Sequence, residues 1–411
     1  MELKKFSGLA NKTTQESLPD GALVEALNVD IDDAGKLRRR RGSELAYSGG
    51  FHSLYAESDD IGYVVRNGDL CRFTASMAMT VIRAGVGDAQ LSYQRVGDRV
   101  YAKSRTHSLS FTDAGMAQDW GIPLVPVFLL TPGNVDPSSD QCQVAVVYRR
   151  DSDGLEGGSL MAMDTNLSGN SITVSHIPNL AGHTASVYVS TPGGETLYLA
   201  ADGVIDSATI HIDGRTNGIQ CRTSNMTPPT GAGPLAYLLG RILIADRSVL
   251  WATNPFQYEL VDSIAGYKML ESEITFIGAV VDGLFIGTHT GVFFMSGPFE
   301  SAQLVRVSIR AAPKQTPSAI DIANVLTGTG QGVGLLFLTD GGVCVGQPGG
   351  QVTNLTNKIF EFPKASEVTV MARQQDGLNQ FVGVATHPST PSGSARFGDY
   401  VDAEIVRFKG V

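Results

Sequence analysis

The sequence of 411 residues holds little that reads as helix, and no apolar run reaches the length of a membrane-spanning segment. Its four cysteines, Cys71, Cys142, Cys221 and Cys344, lie far apart and form no C-x-x-C pair, which removes the usual zinc and redox motifs. Cys142 and Cys221 fall in one segment, yet free buried thiols are the expectation for all four. Seven histidines are scattered, with no H-E-x-x-H or H-x-H arrangement to hold a metal. No G-x-S-x-G elbow exists to present a nucleophile. "GTGQGVG" (328–334) lacks both the spacing and the lysine of a phosphate loop, and reads as a turn between repeats. Charged residues are only 18% and the net charge is −10, which argues against general affinity for polyanions. "MELKKFSGLANKTTQ" lacks the apolar core of a secretory signal, so a cytoplasm is the expected site of synthesis. Neither a cofactor nor a metal is expected, and enzymatic activity is not expected either.

Turn chemistry is abundant. With 47 glycines and 18 prolines in a chain that is 42% hydrophobic, the composition is turn-rich rather than disordered. One unit recurs: an apolar or alternating strand, a tight polar turn, then another strand. "IGYVVRNGDLCRF" turns at Asn67-Gly68, a strong hairpin signal. Similar units turn near Thr106, Arg247, Thr290 and Gly341, with a weaker copy near Pro388 and an opening one near Ala34. One interval, between 106 and 247, is far longer than the others. Treating 128–227 as an inserted domain brings it into line. A repeat of about 40–50 residues made of short strands suits a β-propeller blade.

The expected fold is therefore all-β: a propeller of six or seven blades from 1–127 and 228–411, interrupted at 128–227. The interruption has proline-marked borders and short alternating segments, the size and pattern of an immunoglobulin or fibronectin III-like β-sandwich. The one plausible helix is "LPDGALVEAL", with Asp20 as its cap. The closing strand, "DAEIVRF", is expected to pair with N-terminal strands and seal the ring, because closure removes exposed edges.

Three charged features are candidates for function. "NVDIDDAGKLRRRRG" (28–42) fails as a calcium loop, since Ala34 and Arg41 occupy ligand positions. It reads as a hairpin with Leu27, Val29 and Ile31 on one face. Arg38, Arg39, Arg40 and Arg41 would then offer bidentate donors to the carboxylates of an acidic protein partner. Asp59-Asp60 and Glu271/Glu273 are acidic pairs beside turns, and are candidates for lining a channel. "SFTDAGMAQDW" is an imperfect aspartate box, with Phe111 in place of its serine and Trp120 two residues late.

The N-terminal "FSGLANKTTQESLPDGALVEALNVDIDDAGKLRRRRG" resembles the start of tailed-phage virion proteins. So do "GPLAYLLGRILIADRSVLWATNPFQYELVD", "EITFIGAVVDGLFIGTHTGVFFMSG", "GGVCVGQPGGQVTNLT" and "DYVDAEIVR" in the second half. The resemblance covers both ends of the chain and leaves the insertion aside. It implies a phage tail nozzle or hub: a homo-oligomeric ring, hexameric in the family, below the portal and adaptor. The genome would leave through the central channel without specific binding, tail fibres or spikes would be possible neighbours, and no membrane contact is implied. The protein would be made in the host bacterial cytoplasm and reside in the virion. Many members of the family are much longer, with further platform and tip domains. A rival reading is a carbohydrate- or receptor-binding virion propeller, in which Trp120, Trp251 and Tyr258 would stack on sugars.

Overall fold

The structure is a computed structural model that describes residues 5–12, 14–24, 29–31, 34–39, 47–56, 60–133, 141–159, 163–166, 171–211, 218–326, 331–356, 359, 365–375, 378–386 and 403–407. Among these residues helix is limited to three 3-10 turns of three residues each. The chain is all-β and is built from small antiparallel sheets.

Five successive sheets share one plan, an up-and-down meander of four strands, and a sixth keeps three such strands and adds a parallel one. Sheet 1 comprises Phe51–Ala56, Ile61–Arg66, Asp69–Thr74 and Met79–Arg83. Sheet 2 comprises Ser92–Val96, Arg99–Lys103, Ser108–Thr112 and Gln118–Asp119. Sheet 3 runs Leu235–Leu238, Arg241–Asp246, Val249–Asn254 and Gln257–Asp262, with Met226–Thr227 and Tyr267–Met269 added. Sheet 4 comprises Ile274–Val280, Gly283–Thr288, Gly291–Ser296 and Gln303–Ser308. Sheet 5 comprises Ser318–Asp321, Val333–Thr339, Gly342–Gly346 and Val352–Asn354. Sheet 6 joins Glu367–Gln375, Leu378–Thr386 and Ala403–Arg407, with Lys314–Gln315 parallel to its first strand.

The central strands explain how the sheets stack. "RILIAD", "GLFIGT" and "VGLLFLT" are apolar at consecutive positions, and successive side chains of a strand point to opposite faces. Both faces must therefore be covered. Ile242 and Ile244 pack on Tyr101 and Trp120 of sheet 2, whereas Leu243 packs on Ile277 and Leu284 of sheet 4. Phe276 and Phe285 turn the other way, onto Leu335 and Phe337 of sheet 5. Leu336 and Leu338 then face Val368 and Val370 of sheet 6. Tyr63 and Val65 meet Val100 and Phe111 between sheets 1 and 2. Five consecutive joints thus link six sheets face to face, the stacking of propeller blades.

Antiparallel meanders send alternate turns to opposite ends. The first and third turns of sheets 1 to 5 leave at one end, and their second turns and the inter-sheet links leave at the other. Cross-sheet contacts show that the sheets point the same way. Gly349 N donates to Asp282 Oδ2 at 2.7 Å at the first end, and Asp340 N donates to Ala311 O at 2.8 Å at the second.

Between sheets 2 and 3, residues 129–211 form a separate body of two sheets. One holds Leu129–Pro132, Ser171–Ser175 and Ala208–His211, and the other Met163–Asn166, Gln141–Arg150, His183–Ser190 and Leu197–Val204. Val144, Val146, Ile172, Val174 and Val187 close a common core between them. All four cysteines are buried, and none is joined to another in a disulfide.

Several expectations need correction. Val29–Ile31 and Leu37–Arg39 do form the opening hairpin, with Asp30 opposite Arg38, but it is a separate two-stranded sheet rather than part of a blade. "LPDGALVEAL" does not begin as a helix: Ala22–Leu23 pairs in parallel with Gly8–Leu9. Gly21 there has φ +83 and lies so close to the Lys5 carbonyl that a Cβ could not fit. Among the described residues Ala403–Arg407 pairs with Leu378–Thr386 and with no N-terminal strand. The described end of the 328–334 run lies inside sheet 5 and not between repeats, since Val333 and Gly334 open the second strand of that sheet. The turn near Pro388 lies outside the described residues.

Candidate functional site

The charged candidates sort by the end from which they emerge. Arg39 is exposed on the second strand of the opening hairpin, as is Arg38, whereas Arg40, Arg41 and Asp59 lie outside the described residues. Phe6 N donates to Gly35 O at 2.8 Å, and Asn11 N donates to Ile359 O at 3.1 Å. The link after sheet 5 carries Ile359, so these bonds set the hairpin near the second end.

Asp60 and the Glu271/Glu273 pair are far apart in chemistry as well as in place. Asp60 directly precedes the second strand of sheet 1 and is exposed at the first end. Glu271 and Glu273 precede the first strand of sheet 4, which begins at the second end. They do not present bare negative charge. Arg306 Nη2 donates to Glu271 Oε1 at 3.0 Å, and Thr290 Oγ1 donates to the same oxygen at 3.1 Å. Lys314 Nζ stands 3.0 Å from Glu273 Oε1, and His289 Nε2 lies 3.8 Å from Glu273 Oε2. The hydrogen bond from Lys314 holds the Glu273 carboxyl below its ordinary value, with Arg105 adding to the field. A wall that repels DNA by bare carboxylates is therefore not what this pair offers. Sequence reasoning missed the cations, because Arg306 and Lys314 reach Glu271 and Glu273 only through the stacking of the meander.

The aspartate-box remnant has a structural task. Asp113 accepts from Tyr63 Oη at 2.6 Å and from both terminal nitrogens of Arg95 at 2.6 and 3.2 Å, while Arg72 donates to its carbonyl. The bonds from Arg95 and then Tyr63 hold its carboxyl below the usual range. Burial and this acceptor push the Tyr63 phenol up. The group ties sheet 1 to sheet 2.

The aromatic candidates are also built in. Trp120 is 2% exposed and donates from Nε1 to Tyr258 O at 2.8 Å. Trp251 is half-buried and tilted on Tyr267, with ring centroids 5.2 Å apart, and Tyr258 packs edge-on against Tyr101 at 5.7 Å. A Trp120 enclosed between two sheets cannot stack on a sugar, which removes one of the three side chains proposed for that task. Beside it the ammonium of Lys103 is buried, with one hydrogen bond to Ser108 Oγ at 3.1 Å and the Trp120 ring 5.8 Å away. Burial lowers this lysine to about 8.

The inserted body is fixed by buried polar contacts. Gly121 N donates to Glu259 Oε2 at 2.5 Å, and Arg150 of the insertion lies 3.7 Å from the other oxygen. Arg150 is also clamped on Asp153 at 2.6 Å. Desolvation dominates at Glu259 and raises its carboxyl, against the pull of Gly121 and Arg150. Ile122 enters the core of the insertion, so the linker is packed at both sides. Among the described residues no group of three His, Cys, Asp or Glu is placed to hold a metal. Among the described residues no helix is long and apolar enough to cross a membrane.

No family model matches the chain, and no curated protein matches it. Solved structures similar to it include the WD40 β-propeller domain of Doa1, at 9% identity and a TM-score of 0.30, covering 83% of this chain and 91% of that one. Kluyveromyces lactis Hsv2 is 7% identical, with a TM-score of 0.31 and coverage of 82% and 90%. The N-terminal domain of Nup159 is 8% identical, with a TM-score of 0.29 and coverage of 81% and 72%. The architecture described above rests on strand order and inter-sheet packing, not on these likenesses.

Proposed function

We propose that the chain is a structural subunit of a bacteriophage tail, in the nozzle or hub ring below the portal and adaptor. One observation carries the reading: the phrases that resemble tailed-phage virion proteins fall on scaffold, and none falls on a catalytic constellation. "NVDIDDAGKLRRRRG" spans the opening hairpin, "GRILIADRSVLWATNPFQYELVD" is most of sheet 3, and "GLFIGTHTGVFFMSG" is the centre of sheet 4. Turn glycines and two-sided strands are what such phrases specify.

In this reading six blades form the propeller and residues 128–227 supply an immunoglobulin or fibronectin III-like module at its side. Copies of the chain, six by family resemblance, surround the path of the genome. DNA passes without being gripped, and portal, adaptor, fibres or spikes are the neighbours. The chain's scaffold is structural, with no chemistry of its own, and it resides in the virion after synthesis in the host cytoplasm.

Cryo-imaging of the intact particle tests this. The expected result is a ring of several copies on the tail axis beneath the portal. A single copy per particle, or a position away from that axis, would overturn it.

A further inference from the structure

Each joint between successive sheets is filled by interleaved apolar side chains. The two outer faces of the stack differ. On sheet 1, Ile82 packs toward sheet 2, so its neighbour Val81 points away, and Val81 is 45% exposed. On sheet 6, Thr369 is exposed between Val368 and Val370, which both face sheet 5. Among the described residues no strand is shared between sheets 1 and 6, and no apolar cluster joins them.

The N-terminal segment links these two sheets by another route. The described residues of 5–39 form one unit held by backbone contacts. Gly8–Leu9 pairs with Ala22–Leu23, Ser7 N donates to Gly21 O at 2.8 Å, and Phe6 N donates to Gly35 O at 2.8 Å. On one side the unit reaches the link between sheets 5 and 6, where Asn11 N donates to Ile359 O at 3.1 Å. On the other it is tied through the chain to sheet 1, since only residues 40–46 separate it from Tyr47. Tyr47 is anchored on that sheet: its Oη donates to Met77 O at 2.6 Å, and the Arg66 guanidinium lies 5.4 Å from its ring centre.

We propose that residues 5–39 act as a clasp on the sheet stack. They hold its last sheet beside its first, at a seam that lacks the apolar filling of the other joints, and this seam is where the stack opens first. Local opening begins where few apolar contacts are buried. Release of Ile359 would free the seam and leave the cores between sheets 2, 3, 4 and 5 as they are. The clasp stands on packing and hydrogen bonding within one chain, and is independent of the chain's place in a particle.

Native-state hydrogen exchange of the full chain, read by mass spectrometry of its peptides, tests the clasp. Asn11→Pro removes the donor to Ile359. Amides of Ile61–Arg66 and Asp69–Thr74 in sheet 1, and of Glu367–Gln375 and Leu378–Thr386 in sheet 6, should then exchange about fivefold faster, the factor expected for one lost backbone hydrogen bond. Amides of sheets 3 and 4 should keep their parent rates. Asn11→Cys with Ile359→Cys makes the converse change. With the bridge oxidised, the same amides of sheets 1 and 6 should exchange more slowly than in the parent, and reduction should undo the effect. Should Asn11→Pro fail to fold, the cysteine pair alone decides. An equal change in every sheet, or no change at the seam, would overturn the clasp.

Discussion

Lys103 shows how a single residue sets a pH response. It is 7% exposed between sheets 2 and 3, and its ammonium has lost most of its hydration for one hydrogen bond and an aromatic face. Its folded value of about 8 lies below that of the unfolded chain. Between the two values the unfolded state holds more protons, so stability rises with pH across that window. Below pH 8 the cost of the buried charge is fully present. The buried phenols of Tyr63, Tyr93 and Tyr101 are pushed the other way. The unfolded chain ionises them first, so stability falls again above about pH 10. Urea denaturation at a series of pH values should show greater stability at pH 9 than at pH 7. Lys103→Met should flatten that rise and stabilise the protein at pH 7 by on the order of 2 kcal/mol. A parent whose stability does not change between pH 7 and 9 would refute the assignment. Nothing in "RVYAKSRTHSLSF" identifies Lys103 as buried, since its neighbour sheet is more than 130 residues away in sequence.

At the scale of elements, the legible features are those fixed by local chemistry. Asn67 at φ +51° and Gly68 at φ +85° make the hairpin turn that the dipeptide specifies. The strands on both sides of Arg247, Thr290 and Gly341 also pair as their apolar runs require. What failed were the segments that no tight turn ties to a partner. "LPDGALVEAL" has helical residues, yet Gly21 is pressed against the Lys5 backbone and Ala22–Leu23 takes a strand partner at Gly8–Leu9. "DAEIVRF" found its partner one strand earlier rather than across the ring. Close sheet stacking also makes a testable demand on Gly278. A side chain there would run into Leu335 and Pro317 of the next sheet. Gly278→Val should cost about 1–3 kcal/mol in chemical denaturation, the usual penalty for overpacking a joint. A variant as stable as the parent would mean that sheets 4 and 5 are not in contact there.

For the whole molecule, the net charge is −10. Ion pairs occupy both ends, Asp113–Arg95 and Glu300–Arg241 at one, Glu271–Arg306 and Glu273–Lys314 at the other. A phosphate backbone needs several unpaired cations in a row, because each contact adds salt-dependent affinity. Fluorescence anisotropy with a labelled duplex should therefore register negligible binding at physiological salt. Tight binding that Arg39→Glu abolishes would instead make the hairpin a nucleic-acid site and overturn its assignment to a protein contact.

The sequence by itself determined the all-β class, the repeated hairpin unit, the tight turns and the position of an interruption between residues 106 and 247. Each follows from short-range rules: which residues accept positive φ, and how often an apolar side chain returns to one face. Only the tertiary structure decided that Trp120 is enclosed, that Glu271 and Glu273 are neutralised, and that Asp60 lies at the end opposite to them. Those outcomes depend on which sheet stacks on which and which end its turns leave from. Burial and charge pairing are properties of neighbours in space, and the neighbours here are strands far apart in the chain.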